Sequence, residues 1–415
     1  MHSVDQEQER VWSDYYLGIQ GLFYFAQGVA FGSLLFLTAF LGYLSVDEFG
    51  RILFQAVIWI PWYLKIFFGV LSDNVPIKRY GRRKPYVLFA GIVGIIGWVT
   101  IPLYTEFSMF LLVSGIMASF GTGMSDATID ALSVDITPQR RRGALQGLSW
   151  GFRGLGLGIT SLLAGVLADA NSWFILFAIP GILMSLSCFL ILFYKENPLP
   201  DDFKRISGSV YEKAFSHRNV QLCFIFNLFA ASATAIMPLA QTLLEVGLGF
   251  DLVTVGIVFS AFSVGMFLGA LIFGVLGDRI SIRTTLPMNS VAYAVVIVSI
   301  LFINLNDPNL AMIFFFVVGF TSGGYQTTQL RINMDNTPVI ASGTIFNLYN
   351  SVANLGLIAI GALTIAAFET IVGSYQISWQ LAWVFLLIAL IPGYYLTRNT
   401  DESDVQEIET ETALW

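Results

Sequence analysis

Twelve apolar runs, each twenty residues or longer, take up most of this 415-residue chain. They cover about 17–43, 50–72, 85–104, 107–135, 143–168, 172–194, 220–244, 251–277, 284–304, 309–333, 341–368 and 374–397. At about 1.5 Å per residue, each run can cross a hydrocarbon layer roughly 30 Å thick as a helix. Membrane strands need only about ten residues and strict alternation, which these runs lack. Charged residues make up 12% of the chain, against roughly 25% in a soluble domain, so the excess apolar surface must face lipid. The expected fold class is an all-α integral membrane protein with twelve transmembrane helices. The net charge of −7 implies no nucleic-acid partner, because much of the acid sits in the tails: Asp5, Glu7, Glu9 and Asp14 at one end, residues 401–411 at the other. The opening is polar and acidic, with no basic region before the first run, so no cleaved signal peptide is expected. Cys188 and Cys223 lie in apolar runs and read as packing residues.

Basic residues are distributed with equal bias. If both ends of the chain lie on one side, the loops and tails of that side hold Arg10, Lys78, Arg79, Arg82, Arg83, Lys84, Arg140, Arg141, Arg142, Lys195, Lys204, Arg205, Lys213, Arg218, Arg279, Arg283 and Arg398, and the other side holds only Arg51. Basic loops stay cytoplasmic. Both termini are therefore expected in the cytoplasm, with the chain in the cell membrane.

The chain also repeats itself. "GVLSD" at 69–73 returns as "GVLGD" at 274–278, while Asp135, Pro138 and Gly143 return as Asp335, Pro338 and Gly343. The expected organisation is a tail (1–16), a six-helix half (17–194), a cytoplasmic linker (195–219), a second half (220–397) and an acidic tail (398–415). Parallel halves related by an axis along the membrane normal are a transporter architecture. Gly69, Asp73, Gly81, Arg82 and Arg83 resemble the loop signature of the major facilitator superfamily. That resemblance implies a latch that favours the outward-open state: Asp73 at the start of helix 11, Arg82 or Arg83 on Asp135, and Asp278, followed by Arg279, at the start of helix 5. A carboxylate at a helix N-terminus gains about 0.3–1 kcal/mol. The second motif lacks the G-R-R part.

Four charges fall inside the membrane. Lys65 lies eight residues inside Asp73, Asp126 and Asp130 lie nine and five inside Asp135, and Arg153 lies ten beyond Gly143. Each isolated charge costs roughly 2.5–3.5 kcal/mol at the bilayer centre, so the four should pair. A static ion-pair knot and a site for substrate and proton are both compatible with that. Polar stripes at helical spacing add Gln20, Tyr24 and Gln27 on helix 1, Asn227, Thr234, Gln241 and Glu245 on helix 7, and Asn347, Asn350 and Asn354 on helix 11. Gln326, Gln329 and Arg331 on helix 10 extend the same polar lumen. Trp59 and Trp62 read as interfacial anchors first, with stacking on a flat ligand as the alternative.

"PWYLKIFFGVLSDNVPI" (61–77) and "GALQGLSW" (143–150) resemble the folate–biopterin transporters. "DATIDALSVDITPQRRRG" (126–143) is also similar to muropeptide permeases and acetyl-CoA transporters, and "YGRRKPYVL" (80–88) to coupled sugar carriers. There is no G-x-x-x-x-G-K-[ST] loop, His2 and His217 lie outside the runs, and the aspartates sit beside cations, so neither an enzyme, a metal site nor a cofactor is expected. The expectation is a monomeric, proton-coupled secondary transporter of a small organic anion, a pterin or folate-like compound first. Lys65 and Arg153 would bind its carboxylate, and Asp126 or Asp130 would carry the proton, since burial favours a neutral carboxyl. A sugar or peptidoglycan-fragment permease is the alternative within the fold, and a transport-inactive receptor or assembly factor the alternative outside it.

Overall fold

The computed structural model describes residue 8 and residues 11–34, 36–77, 80–196 and 205–398. The acidic residues of the tails other than Asp14, and Arg10, Lys78, Arg79 and Lys204, lie outside the described residues. Among the described residues, twelve helices are long and apolar enough to cross a membrane. We number them helix 1 (Tyr15–Tyr43), helix 2 (Phe49–Asn74), helix 3 (Lys84–Leu103), helix 4 (Met109–Ile136), helix 5 (Gln139–Ala168), helix 6 (Trp173–Phe193), helix 7 (Arg218–Gly247), helix 8 (Leu252–Arg279), helix 9 (Ile282–Phe302), helix 10 (Pro308–Asp335), helix 11 (Val339–Val372) and helix 12 (Tyr375–Thr397). A short helix, Gly208–Ser216, lies in the linker.

The helices begin where their sequences supply caps. Asp47, Ser108, Asp251 and Asp307 each accept a backbone N–H from the first turn of helix 2, 4, 8 or 10, satisfying donors that the helix itself leaves free. These four starts share the face opposite the basic loops, which accounts for some of the acid there. The carboxyl of Asp251 is held below the usual range by the backbone N–H of Thr254. Breaks inside the helices also have local causes. Pro61 cannot donate to the Val57 carbonyl, nor Pro238 to that of Thr234. Helix 2 is interrupted at Trp59 and Leu64, and helix 7 at Thr234–Ala235. In helix 11, residues Gly356–Ala362 form a π-helical segment.

Helices 1, 5 and 6 pack together, as do 3, 4 and 6; in the second half, 7 packs on 11 and 12, 8 on 10, and 9 on 10 and 12. The aromatic core of the second half includes Phe226, Phe262, Tyr293, Tyr325 and Tyr349. In the first half, Trp98, Trp173 and Phe177 form one cluster, and Tyr16 stacks on Tyr194 at 4.6 Å in another. The two sets of six helices meet where 5 runs along 8, and where 2 and 4 touch 11.

Candidate functional site

Two sets of contacts join the halves on the basic face. At the end of helix 2, Asp73 is fully buried and accepts the N–H groups of Gly343 (3.2 Å) and Thr344 (2.7 Å) and the Thr344 hydroxyl (2.7 Å). Its carboxylate thus closes the N-terminus of the main segment of helix 11, Ser342–Leu355. The approach depends on Gly69, where a Cβ would overlap the Gly343 carbonyl. Arg82 and Arg83 both pair with Asp73, and Arg83 also reaches Asp135 through Nε at 3.0 Å. Burial opposes the charge of Arg83, but Asp135 and Asp73 outweigh it and hold the guanidinium protonated beyond its ordinary range. Glu196, after helix 6, accepts the N–H groups of Arg82 (2.6 Å), Arg83 (3.0 Å) and Lys84 (2.8 Å), which caps helix 3. From the linker helix, the Tyr211 hydroxyl contacts Asn74 at 2.7 Å and Thr344 at 3.2 Å. Nothing in the spacing pointed to Glu196 or Tyr211, because their partners are backbone groups or lie far away in sequence.

The second contact is built differently. Asp278 accepts the N–H groups of Gly143 (2.8 Å) and Ala144 (2.7 Å) at the start of helix 5. Its cation is Arg331, 3.3 Å away, which also lies 3.6 Å from Asp335; Arg142 pairs with Asp335 at 3.0 Å. Arg331 therefore stands where the first motif uses its loop arginines, rather than in the lumen where its helix stripe suggested. Arg279 is exposed in the last turn of helix 8 and takes no part in this network.

Deeper in the membrane the four charges meet. Lys65 pairs with Asp126 and lies 3.8 Å from Asp130; Arg153 reaches Asp126 at 3.1 Å. Gln27 bridges the pair, donating to Asp126 at 2.7 Å and accepting from Arg153. Tyr24 donates to Asp130, and Asn350 donates to the other oxygen of Asp130 at 2.9 Å from the second half. Aromatic faces hold the cations: the Lys65 ammonium lies 5.2 Å from the Trp62 ring, and the Arg153 guanidinium 4.5 Å from Trp150 and 4.9 Å from Tyr24, contacts worth roughly 0.5–2 kcal/mol each. Helix 5 can bring Arg153 this close because Gly28 of helix 1 has no Cβ to meet the Arg153 carbonyl.

Lys65, Asp126, Asp130, Arg153, Tyr24, Trp62, Trp150 and Asn350 line a central cavity of about 110 Å³ between the halves, together with Thr234, Gln326, Gln329 and Asn354. Gln27 is buried behind Asp126 and Arg153 and is not part of the lining. Among the described residues, Arg153 uses one nitrogen, Nη2, for its protein acceptors, and its Nε has none. Gln326 has no hydrogen-bond partner among the described residues. The sequence reading is corrected at several places. Gln20 bonds Ser133 and Tyr194, about two turns nearer the basic face than Gln27. Gln241 bonds Glu245 outside the cavity. Asn227 is buried in an amide cluster behind the cavity wall. Asn347 joins helix 11 to the Ala127 carbonyl. Trp62 is a buried wall of the cavity rather than an anchor at the membrane surface. Trp150 is the aromatic cavity residue that the stripes missed; it stands three residues from Arg153, at the end of the GALQGLSW segment, read for its family resemblance and not for the lumen.

The family model of the Major Facilitator Superfamily matches residues 16–361 and again 222–413. Among curated proteins, the chain is 32% identical over 171 residues to "Folate-biopterin transporter" of Synechocystis sp., covering 38% of this chain and 33% of that one. It is 29% identical over 158 residues to "Probable folate-biopterin transporter 4" of Arabidopsis thaliana, covering 35% and 32%. The alignments thus span about a third of those relatives. Two solved structures share the fold at low identity: FucP, a Major Facilitator Superfamily transporter in the outward conformation (TM-score 0.67, 13% identical), and the E. coli fucose:proton symporter FucP (TM-score 0.70, 14% identical). Each covers 92% of this chain and 98% of the other. The curated relatives carry transporter names, and this chain is a multi-pass membrane protein that belongs to the Major Facilitator Superfamily.

Proposed function

We propose that the chain is a proton-coupled symporter of a small organic anion, a pterin or folate-like compound, working by alternating access of its two halves about the central cavity. The observation that carries this is the unequal pairing of the four charges. Asp126 is held by Lys65 and Arg153 together, whereas Asp130 has one cation, 3.8 Å away. With both acids ionised the cluster is neutral; a proton on Asp130 leaves it at +1. An anion then restores neutrality. At about 5 Å and an effective dielectric near 20, that attraction is worth about 3 kcal/mol, a coupling of roughly a hundredfold between proton and anion. Arg153 supplies the contact, with guanidinium nitrogens that no protein acceptor occupies.

The aromatic rings of Trp62, Trp150 and Tyr24 suit a flat solute, and the folate–biopterin names of the curated relatives agree with that chemistry. Closure on the basic face supports an outward-facing state, with both termini cytoplasmic in the cell membrane and a monomer as the working unit. Binding of pterin-6-carboxylate to purified protein tests the site. Arg153→Met should weaken it at least tenfold, the scale of one lost charge-assisted hydrogen bond. Unchanged binding in a folded variant would remove Arg153 from the site.

A further inference from the structure

We infer that the second-half wall of the cavity is fixed as a hydrogen-bond acceptor surface, centred on Gln329, and selects anions that carry N–H donors at the end remote from their charge. This rests on the reading of the cavity as an anion site. The polarity of the wall follows from groups that cannot be turned round. The backbone carbonyl of Cys223 only accepts, so the Asn227 amide nitrogen donates to it, at 2.8 Å. The Asn227 oxygen must then be the acceptor for its other neighbours. It receives Asn333 Nδ2 at 2.9 Å and Gln329 Nε2 at 2.9 Å. Its nitrogen's second hydrogen goes to Asn333 Oδ1 at 2.7 Å, so every polar position of Asn227 is used. Gln329 therefore has its nitrogen committed behind the wall, and its Oε1, which receives no donor among the described residues, is the end left for the cavity it lines.

Asn354 obeys the same logic. Its nitrogen donates to the Trp62 carbonyl at 3.2 Å, which leaves its oxygen for the cavity. Asn350 spends its nitrogen on Asp130. The carboxylates of the first half do not compete for a ligand's N–H, because Lys65, Arg153, Gln27, Tyr24 and Asn350 already occupy them. The cavity thus has a cationic donor side on helices 2 and 5 and, at Gln329 and Asn354, an uncharged acceptor side on helices 10 and 11, beside Gln326, whose amide is not fixed and can present either end. A solute that satisfies both spans the halves: an anionic group toward Arg153 and an amino-substituted heterocycle edge toward Gln329. A flat anion without N–H groups would leave buried oxygens unpaired, and leaving a buried acceptor unmet is costlier than making one bond is favourable.

The test is a cycle of two ligands and two proteins, read as Kd on the full chain in detergent. Pterin-6-carboxylate carries N–H donors on its ring; 2-naphthoate is flat, bicyclic and anionic but has none. Wild type should bind pterin-6-carboxylate at least tenfold more tightly than 2-naphthoate. Gln329→Met should weaken pterin-6-carboxylate by about tenfold and bind 2-naphthoate at least as tightly as wild type does, because the unmet oxygen is gone; that retained binding also shows that the variant is folded. Equal affinities in wild type would overturn the inference without needing any variant, as would equal losses for both ligands in a monodisperse Gln329→Met. A wild-type response to sodium chloride over choline chloride that Gln329→Met abolishes, with no preference between the anions, would make the wall a cation site and overturn it too. Failure of both anions to bind wild type would instead bring down the anion reading itself, and this inference with it.

Discussion

Replacing Asp73 by Asn tests the latch on the basic face. Asparagine keeps one acceptor oxygen but loses the charge, and turns an amide nitrogen toward donors that already point at this spot. The carboxylate serves two backbone N–H groups, the Thr344 hydroxyl and two arginines. Removing one partner of a buried ion pair costs about 3–5 kcal/mol. The lower end applies here, because Arg83 keeps Asp135 at 3.0 Å. The Gly343 and Thr344 contacts link helices 2 and 11 and are lost when the halves part on this face, whereas the arginine pairs lie within the first half. The closed state alone bears the loss of those three charge-assisted bonds, at about 1.5–3 kcal/mol each before the Asn side chain recovers part of it. A shift of about 3 kcal/mol is on the order of 100-fold, enough to take a 99:1 population to near parity. Spin labels on Arg140→Cys and Thr284→Cys, both exposed positions on opposite halves, would report it by pulsed dipolar spectroscopy. The parent should give one short distance, and Asp73→Asn should add a longer component of comparable weight. A distribution identical to the parent's would refute the latch and reduce Asp73 to a helix-end residue.

Two further outcomes are expected. Lys65→Met should lower thermal stability by about 3–5 kcal/mol, because it takes from buried Asp130 its one cation and leaves Asp126 to Arg153 alone; adding Asp126→Asn should restore stability but not transport. Recovery of transport at the wild-type rate across external pH would make the ion pairs a scaffold only. Cysteines at Asn306 and Ser207 should label from opposite sides of the membrane, Ser207 from the cytoplasm, and same-side labelling would overturn the topology.

The helix count and the doubling of the chain were legible because lipid demands long apolar runs and the two halves repeat the same loop elements. The contacts of Asp73 and Asp278 with helix starts were legible for the same reason: a carboxylate at a repeated position, opposite a repeated glycine. What the spacing could not supply was depth. Gln20 and Gln27 share one face of helix 1, yet two turns separate an amide tied to Ser133 from one tied to Asp126. Arg331 was misplaced for the same cause, since its stripe with Gln326 and Gln329 says nothing about the Asp278 carboxylate on helix 8 that it meets. The polarity of Gln329 was also hidden, because it is set by the Cys223 carbonyl through Asn227, and no pattern of residue types records which end of an amide faces a cavity.

The central claim, that a proton on Asp130 and an anion in the cavity move together, is tested most directly by uptake into proteoliposomes. With the outside acidic and the inside alkaline, wild type should concentrate pterin-6-carboxylate above its external level, and the accumulation should vanish when the pH gradient is collapsed. Asp130→Asn should still exchange the compound down its gradient but should no longer concentrate it. Accumulation by Asp130→Asn equal to wild type, or wild-type uptake that never exceeds equilibration under any pH gradient, would contradict the account.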